Sequence, residues 1–430
     1  MTPRHLPLLV GAALATLFVL IYNLSKPKLI QPGKHHPTFD SPNDDPVQPI
    51  ATTVPLDSLS VQTYFQLICS GRPSTHDLHD QHSCLRPSLG LLTPLPPPIL
   101  SPSQQATIER QVWSTSLCME VHGGTETTPT TPPTTPPTTM LQLDLGTYVQ
   151  RGAPALYHLF DKKQLPVCTT ATNLHLAKDK DNQKSITPSH QFHEFNSINH
   201  DFVTFFIRSL TAHHVGKGFV VDVGAHIGVH TLVAASLGYR VIAFESSPAI
   251  AALFARTVAI NNMEALVTIF QNNLADGVHR KPDTSSSSPY DTSATICLDT
   301  IVPYLEATMH TVENVPKVIT LMRIGGIDNY NYIAPLIIRG GVNFFTLYQV
   351  HTILFEIQPK VWSRLKCDVI DVAKGLFHMN YIMTTRGHES LISNAYEFDK
   401  WYTEHLVGKA KEGAALLEER IDVVFTLSTW

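Results

Sequence analysis

Residues 219–248 read FVVDVGAHIGVHTLVAASLGYRVIAFESSP, and this stretch decides the fold. Phe219–Val223 is a short apolar run rich in β-branched residues, which reads as a buried strand. It breaks at Gly224-Ala225-His226-Ile227-Gly228 and leads into Val229–Leu237, a helical stretch. Val241–Phe244 is a second strand ending at Glu245. Gly224 permits a turn that a Cβ would block, and Gly228 lets the helix pack closely. Glu245 follows Gly228 by 17 residues, at the end of the next strand. A carboxylate there can accept both hydroxyls of a ribose. The unit therefore describes a nucleoside-binding crevice at the carboxyl edge of a doubly wound sheet.

The pattern continues outward. Pro248–Asn261 carries apolar residues at helical spacing, and strands are expected at 266–270, 318–324, 352–357 and 421–427. Strand alternating with helix implies a mostly parallel sheet with both faces covered, because parallel neighbours need crossovers. A dinucleotide site wants G-x-G-x-x-G, whose second glycine clears the pyrophosphate. That position is His226, which disfavours close phosphate approach. S-adenosylmethionine has no phosphate and tolerates a side chain there. The spacing thus favours a methyl-donor site over a nicotinamide site.

The stretch from Val220 to Pro248 resembles the opening of the FkbM family of S-adenosylmethionine-dependent methyltransferases. Further similarities keep the family's order: HDFVTFFIRSL at 200–210, NNLAD at 272–276, CLDTIV at 297–302, the region around 322–341, and ILFEIQP at 353–359. The resemblance covers roughly 190–385. It implies a seven-stranded, Rossmann-like methyltransferase sheet with S-adenosyl-L-methionine as cofactor. It also implies O-methylation of a hydroxyl on a glycan or other small acceptor. On this basis Asp222, Gly224, Ala225, Gly228, Glu245 and Asn273 form the donor site. Two departures stand out. His226 replaces the family's usual Asn. The family's Lys-Ile-Asp-x-Glu-Gly stretch reads here Arg323-Ile324-Gly325-Gly326-Ile327-Asp328, without either carboxylate in direct register.

A hydroxyl acceptor needs a base. Candidates are Asp328, the nearest substitute for the missing acids, and Glu356, at the end of an apolar strand. His230 is a third candidate, but its place inside the first helix suits a packed role better. A lapsed enzyme that binds donor or acts as a scaffold is the alternative.

Ahead of this domain, the expected layout is an anchor in 1–30, a stalk with a cysteine-containing insert in 31–140, and a lead-in in 141–200. The methyltransferase-like domain follows in 201–430. Leu6–Tyr22 is 17 residues without a charge. A helix of that length spans about 26 Å, close to the ~27 Å core of an ER-type bilayer. The unbroken run to Tyr22 favours a retained signal anchor over a cleaved signal peptide. Residues 31 to about 60 lack periodicity, and Pro94–Pro102 (PLPPPILSP) is stiff. Thr125–Thr139 holds nine Thr and five Pro, a composition that builds an extended spacer rather than a core.

Cys69, Cys84, Cys118 and Cys168 precede the domain, while Cys297 and Cys367 lie in it. One or two disulfides are expected, and with them an ER or Golgi lumen. His76, His79, His82 and Cys84 have ligand-type spacing but no framework, so no metal site is assigned. The charge balance, 31 basic against 36 acidic residues for a net −5, argues against a nucleic-acid partner. The expected partners are a small-molecule or glycan acceptor and, through Leu6–Tyr22, a membrane. The anchor has a direct consequence: the full-length chain should stay with membranes after carbonate washing and retain Met1 or Thr2 as its N-terminus. A chain starting near residue 16–26 would show cleavage instead.

Overall fold

The computed structural model describes residues 92–110, 138–161, 163–170, 203–212, 218–277, 295–309, 318–325, 334–357, 362, 367–385, 388–404 and 421–428. Leu6–Tyr22, the stretch 31–60, the histidine-rich loop, all but the last two residues of the Thr/Pro run, and Asp328 lie outside them. Among the described residues, no helix is long and apolar enough to cross a membrane.

In chain order the strands are β1 (Thr138–Asp144), β2 (Gln164–Thr170), β3 (Phe219–Val223), β4 (Arg240–Phe244), β5 (Val267–Phe270), β6 (Asn273–Ala275), β7 (Thr295–Cys297), β8 (Val318–Ile324), β9 (Gln349–Ile357), β10 (Tyr381–Thr385), β11 (His388–Ile392) and β12 (Ile421–Leu427). The central sheet has the order β11-β10-β12-β9-β8-β3-β4-β5. β5, β4, β3, β8 and β9 are mutually parallel. β12 enters antiparallel between β9 and β10. Among the described residues, the sheet expected to have seven strands has eight. The extra one is β11, which folds back on β10 as an antiparallel edge.

The expected strands at 318–324 and 421–427 match β8 and β12 residue for residue. All five residues of β3 are buried, which is why that run is apolar on both faces apart from Asp222. Val221 and Val223 face one core, with Phe244, Met322 and Phe355. Val220 faces the other, with Ala243, Leu321 and Leu354.

From β3 the chain moves one way across the sheet, through β4 to β5. It returns on the other side of β3 with β8 and then β9. The carboxyl ends of β3 and β8 therefore flank the topological switch, where open α/β sheets form their ligand crevice.

The helix Pro248–Ile260 starts on Ser247, whose hydroxyl accepts the Ile250 N–H, and carries proline in its first turn. It is buried almost all round, which a helix on an open sheet face would not be. The reason is the β1–β2 hairpin, packed on its outer side. The Cys168 N–H donates to Thr257 Oγ1 at 3.0 Å, and Asn261 Nδ2 to the Pro166 carbonyl at 2.9 Å. Leu143, Leu165 and Val167 of the hairpin share one core cluster with Val203, Ala225 and Ile227. So part of the stretch read as a lead-in packs into the same core as the loop after β3.

Part of the proline-rich stretch read as stalk is also docked. Leu95 N–H donates to the Ile269 carbonyl and Gln271 N–H to the Thr93 carbonyl, both at 2.9 Å, with Pro94 bridging Phe270. A proline offers no N–H, and here it sits on the outer side of β5, where none is needed. The segment blunts an open sheet edge. Cys168 and Cys367 each belong to a disulfide, whereas Cys297 is a buried thiol 3.4 Å from the Thr300 hydroxyl.

Gly228 anchors the start of the helix Val229–Ser236 with φ +86. A Cβ there would lie 2.1 Å from Phe254 Cε2. Gly228→Ala combines a left-handed backbone with overpacking and should destabilise the fold by roughly 2–4 kcal/mol. Urea denaturation reads this as a lower midpoint at unchanged slope.

Candidate functional site

The loop after β3 is closed onto the end of β4. The N–H groups of Gly224 and Ala225 both donate to the Phe244 carbonyl, at 3.0 and 2.9 Å, and Gly228 N–H donates to the Ala225 carbonyl at 2.9 Å. Gly224, His226 and Gly228 all have positive φ, at 73°, 54° and 86°. Three left-handed residues in five give a tight, reversing turn, and His226 is the one that carries a Cβ through it. Its N–H points to Glu245 Oε2 at 2.9 Å.

Glu245 is buried and accepts a second backbone N–H, from Ser247, at 2.8 Å on Oε1. A carboxylate has about four acceptor positions. The His226 and Ser247 N–H groups take two and the Ser246 N–H also bears on the carboxylate, which still leaves acceptor capacity for a ligand. Burial pushes Glu245 up to about 7, against the opposing pull of the Ser247, His226 and Ser246 N–H groups, and the nearby Asp222 charge adds to the rise.

Asp222 is in the last turn of pleat before the loop, fully buried. Its Oδ2 accepts the Thr231 hydroxyl at 2.7 Å, and its Oδ1 accepts Arg323 Nη1 at 2.7 Å. Asp222 and Arg323 are register partners on adjacent parallel strands. The same Nη1 reaches the Gly224 carbonyl at 3.3 Å. The position expected to contact donor also ties the loop to β8 and to the helix after it. This pair is what sequence reasoning missed. The signal was present: one acid in the apolar run FVVDV and one base in VITLMRI, each flanked by core residues.

Burial and Arg323 favour the neutral form of both histidines near the loop. His226 is pushed down to about 4, first by burial and then by the positive charge of Arg323. His230 is held well below its usual range for the same two reasons. His230 is buried edge-on against Phe206, with ring centroids 5.1 Å apart, which places it in the packing rather than at the crevice.

Strand register sets the remaining candidates. Val223, Ile324 and Phe355 are level across β3, β8 and β9. One residue on, Gly224, Gly325 and Glu356 share the carboxyl edge. At ~4.8 Å per strand, Glu356 stands about 10 Å from the Gly224 backbone. Alternation puts it on the Arg323 and Asp222 side of the sheet. It is partly buried and directly opposite Asp422 of β12. The switch is thus a stretch of bare glycine backbone with carboxylates on both flanks, Glu245 on one and Glu356 with Asp422 on the other. Asn273 follows β5. Its Nδ2 reaches Thr295 Oγ1 at 3.4 Å, and its buried Oδ1 has no hydrogen-bond partner among the described residues. Asn272, its neighbour, is spent on structure and accepts the Thr93 N–H at 2.9 Å.

No protein-family model matches the chain, and no curated protein does. Similar solved structures include a geranyl diphosphate C-methyltransferase from Streptomyces coelicolor A3(2), in complex with Mg2+, geranyl diphosphate and S-adenosyl-L-homocysteine. It is 10% identical, covers 57% of this chain and 85% of its own, and has a TM-score of 0.30. An O-methyltransferase from Bacillus cereus, also in complex with S-adenosyl-L-homocysteine, is 12% identical over 59% and 84%, with a TM-score of 0.24. A SAM-dependent O-methyltransferase from Thermotoga maritima is 10% identical over 62% and 74%, with a TM-score of 0.24. At such scores the likeness carries no argument about this chain.

The raised Glu245 value makes a pH prediction. An ordinary glutamate titrates near 4.5, and the folded chain holds this proton up to about 7. The folded state therefore binds the proton more tightly than the unfolded one. The associated stability is present below 4.5 and is lost as pH rises through 7. The loss is on the order of 3 kcal/mol. Denaturation of wild type between pH 5 and 8 should show this downward slope, and Glu245→Gln should flatten that part of it.

Proposed function

We propose that this chain is an S-adenosylmethionine-dependent methyltransferase of the FkbM type that acts on a hydroxyl of a glycan or other small acceptor. The observation that carries the reading is Glu245. It is a buried carboxylate at the carboxyl end of β4, beside a loop of three left-handed residues, with acceptor capacity left beyond the backbone N–H groups it already receives. A ribose presents two adjacent hydroxyl donors. Asn273 adds a buried, unused acceptor that suits the exocyclic amine of an adenine. Neutral His226 and His230 add no positive charge beside a cationic donor.

When bound, S-adenosylmethionine supplies an already activated methyl group, so much of the rate comes from alignment of the reactants. The residues of this chain do the rest. Glu245 and Asn273 orient the nucleoside, and the closed Gly224–Gly228 loop keeps water from its edge. Glu356, on the far flank of the glycine gap, takes the proton from the acceptor hydroxyl. Asp328 is the other candidate for that proton.

The second reading, a domain that binds donor without transferring, is favoured by one feature. The β8 end reads Arg323-Ile324-Gly325, and its only charged side chain is already committed to Asp222. The proposal also places the domain in a secretory lumen behind an anchor at Leu6–Tyr22. The disulfide-bonded Cys168 and Cys367 support an oxidising compartment.

Calorimetry of the full-length chain with S-adenosylhomocysteine tests the donor site. Binding is expected for wild type and none for NAD. Glu245→Ala should weaken binding by about 10- to 150-fold, the equivalent of two charge-assisted hydrogen bonds at roughly 1.5–3 kcal/mol. An unchanged affinity in that variant rejects the ribose assignment. Glu356→Gln should lower methyl transfer by ~10²–10⁴ while donor affinity stays within a few-fold. Donor binding with no transfer to any member of a glycan panel selects the second reading.

A further inference from the structure

We propose that Arg323 is a positioning residue, which holds the loop after β3 in its donor-receiving shape by bridging the Asp222 carboxylate and the Gly224 carbonyl across the sheet switch. The inference rests on the methyl-donor reading and adds to it the part that shapes the site. Gly224 and Gly228 take left-handed backbone without steric cost, but His226 between them carries a Cβ there at φ 54°, which is strained. Something must hold it.

The holding points are on the page. Before the loop, Asp222 is fixed from the neighbouring strand by Arg323 at 2.7 Å. After the loop, Thr231 of the helix Val229–Ser236 donates to the other oxygen of the same carboxylate at 2.7 Å. At the loop's first residue, Arg323 Nη1 also reaches the Gly224 carbonyl at 3.3 Å. One carboxylate thus staples both ends of the loop, and one guanidinium sets that carboxylate and the loop's entry together. Both bonds come from one nitrogen, Nη1, whose position the rigid guanidinium plane fixes, whereas lysine carries its charge on a flexible stem that leaves it unfixed.

Gly325 belongs to the same device. It is two residues past Arg323 on β8's carboxyl side, and its N–H donates to the Val223 carbonyl at 3.0 Å. A Cβ there would lie 2.7 Å from Arg323 Nη2 and 3.0 Å from Cζ. The guanidinium therefore folds over the space that any side chain at 325 would fill. The sequence departure at 323 and the one at 325 are one change: the arginine reaches the loop because 325 is glycine.

The test is a double-mutant cycle on Arg323→Lys and Gly325→Ala, made in the full-length chain. Two readouts are taken: S-adenosylhomocysteine affinity, and amide hydrogen exchange of residues 224–228 without ligand. The Gly224, Ala225, His226 and Gly228 amides are all hydrogen-bonded in the closed loop and so report its opening. Each single variant should speed exchange at these amides and weaken binding by roughly tenfold or more. The double variant should resemble Arg323→Lys alone rather than the product of the two, because both changes break the same contact. For turnover, KM for the donor should rise more than kcat falls.

Unchanged exchange at 224–228 in both single variants overturns the inference, as does strict multiplicativity of the two effects on affinity. If wild type binds no S-adenosylhomocysteine, the methyltransferase proposal fails. The exchange data then still decide whether Arg323 holds the loop, because they need no ligand.

Discussion

The buried pair between Asp222 and Arg323 is the constraint on which the rest of the site depends. It joins two neighbouring parallel strands at the point where the chain reverses its progress across the sheet. Burying two charges is expensive, and a buried ion pair is rarely a net source of stability. Its value here is geometric. Asp222 and Arg323 each find their partner only if β3 and β8 are in this register, and the shared carboxylate then dictates where Thr231 and the helix after the loop must lie. Loss of either partner would strand a charge in the core, at roughly 3–5 kcal/mol. The pair selects one register and one loop shape.

Around that pair, the crevice is built by contrast. Two glycines, Gly224 and Gly325, leave the backbone bare at the switch, and carboxylates stand on either side. Glu245 is raised to about 7 because burial outweighs the N–H groups of Ser247, His226 and Ser246 aimed at it. The adjacent histidines are kept uncharged by burial and by Arg323. The electrostatic character of the site is therefore set mostly by desolvation, and one fixed cation serves several groups at once.

The elements outside the sheet serve the same region. The β1–β2 hairpin covers the outer side of the helix Pro248–Ile260, and its apolar residues reach the cluster that contains Ala225 and Ile227. The segment at 93–95 closes the edge of β5, one strand away from Glu245. Chain that reads as spacer is thus used in part as cladding. The helix expected at Pro248–Asn261 from its apolar spacing is present as Pro248–Ile260, with exposure confined to Ala249 and Ala252 near its start.

What the sequence determined by itself is the doubly wound core and the position of its crevice. Continuous apolar runs at 219–223 and 318–324, with helical spacing between runs, admit little else, and Gly224, Gly228 and Glu245 mark the carboxyl edge through local chemistry alone. The mostly apolar run at 421–427 was also legible as a strand. The tertiary structure alone decided which polar groups meet. Asp222 and Arg323 are 101 residues apart, and nothing local says that β8 pairs with β3. Likewise, Leu95 and Ile269 meet only because β5 has an open edge. The β1–β2 hairpin hid behind a Thr/Pro run, since its burial comes from a helix a hundred residues later. Strand order is a property of the whole sheet, and the roles of Asp222, Arg323 and Gly325 follow from strand order.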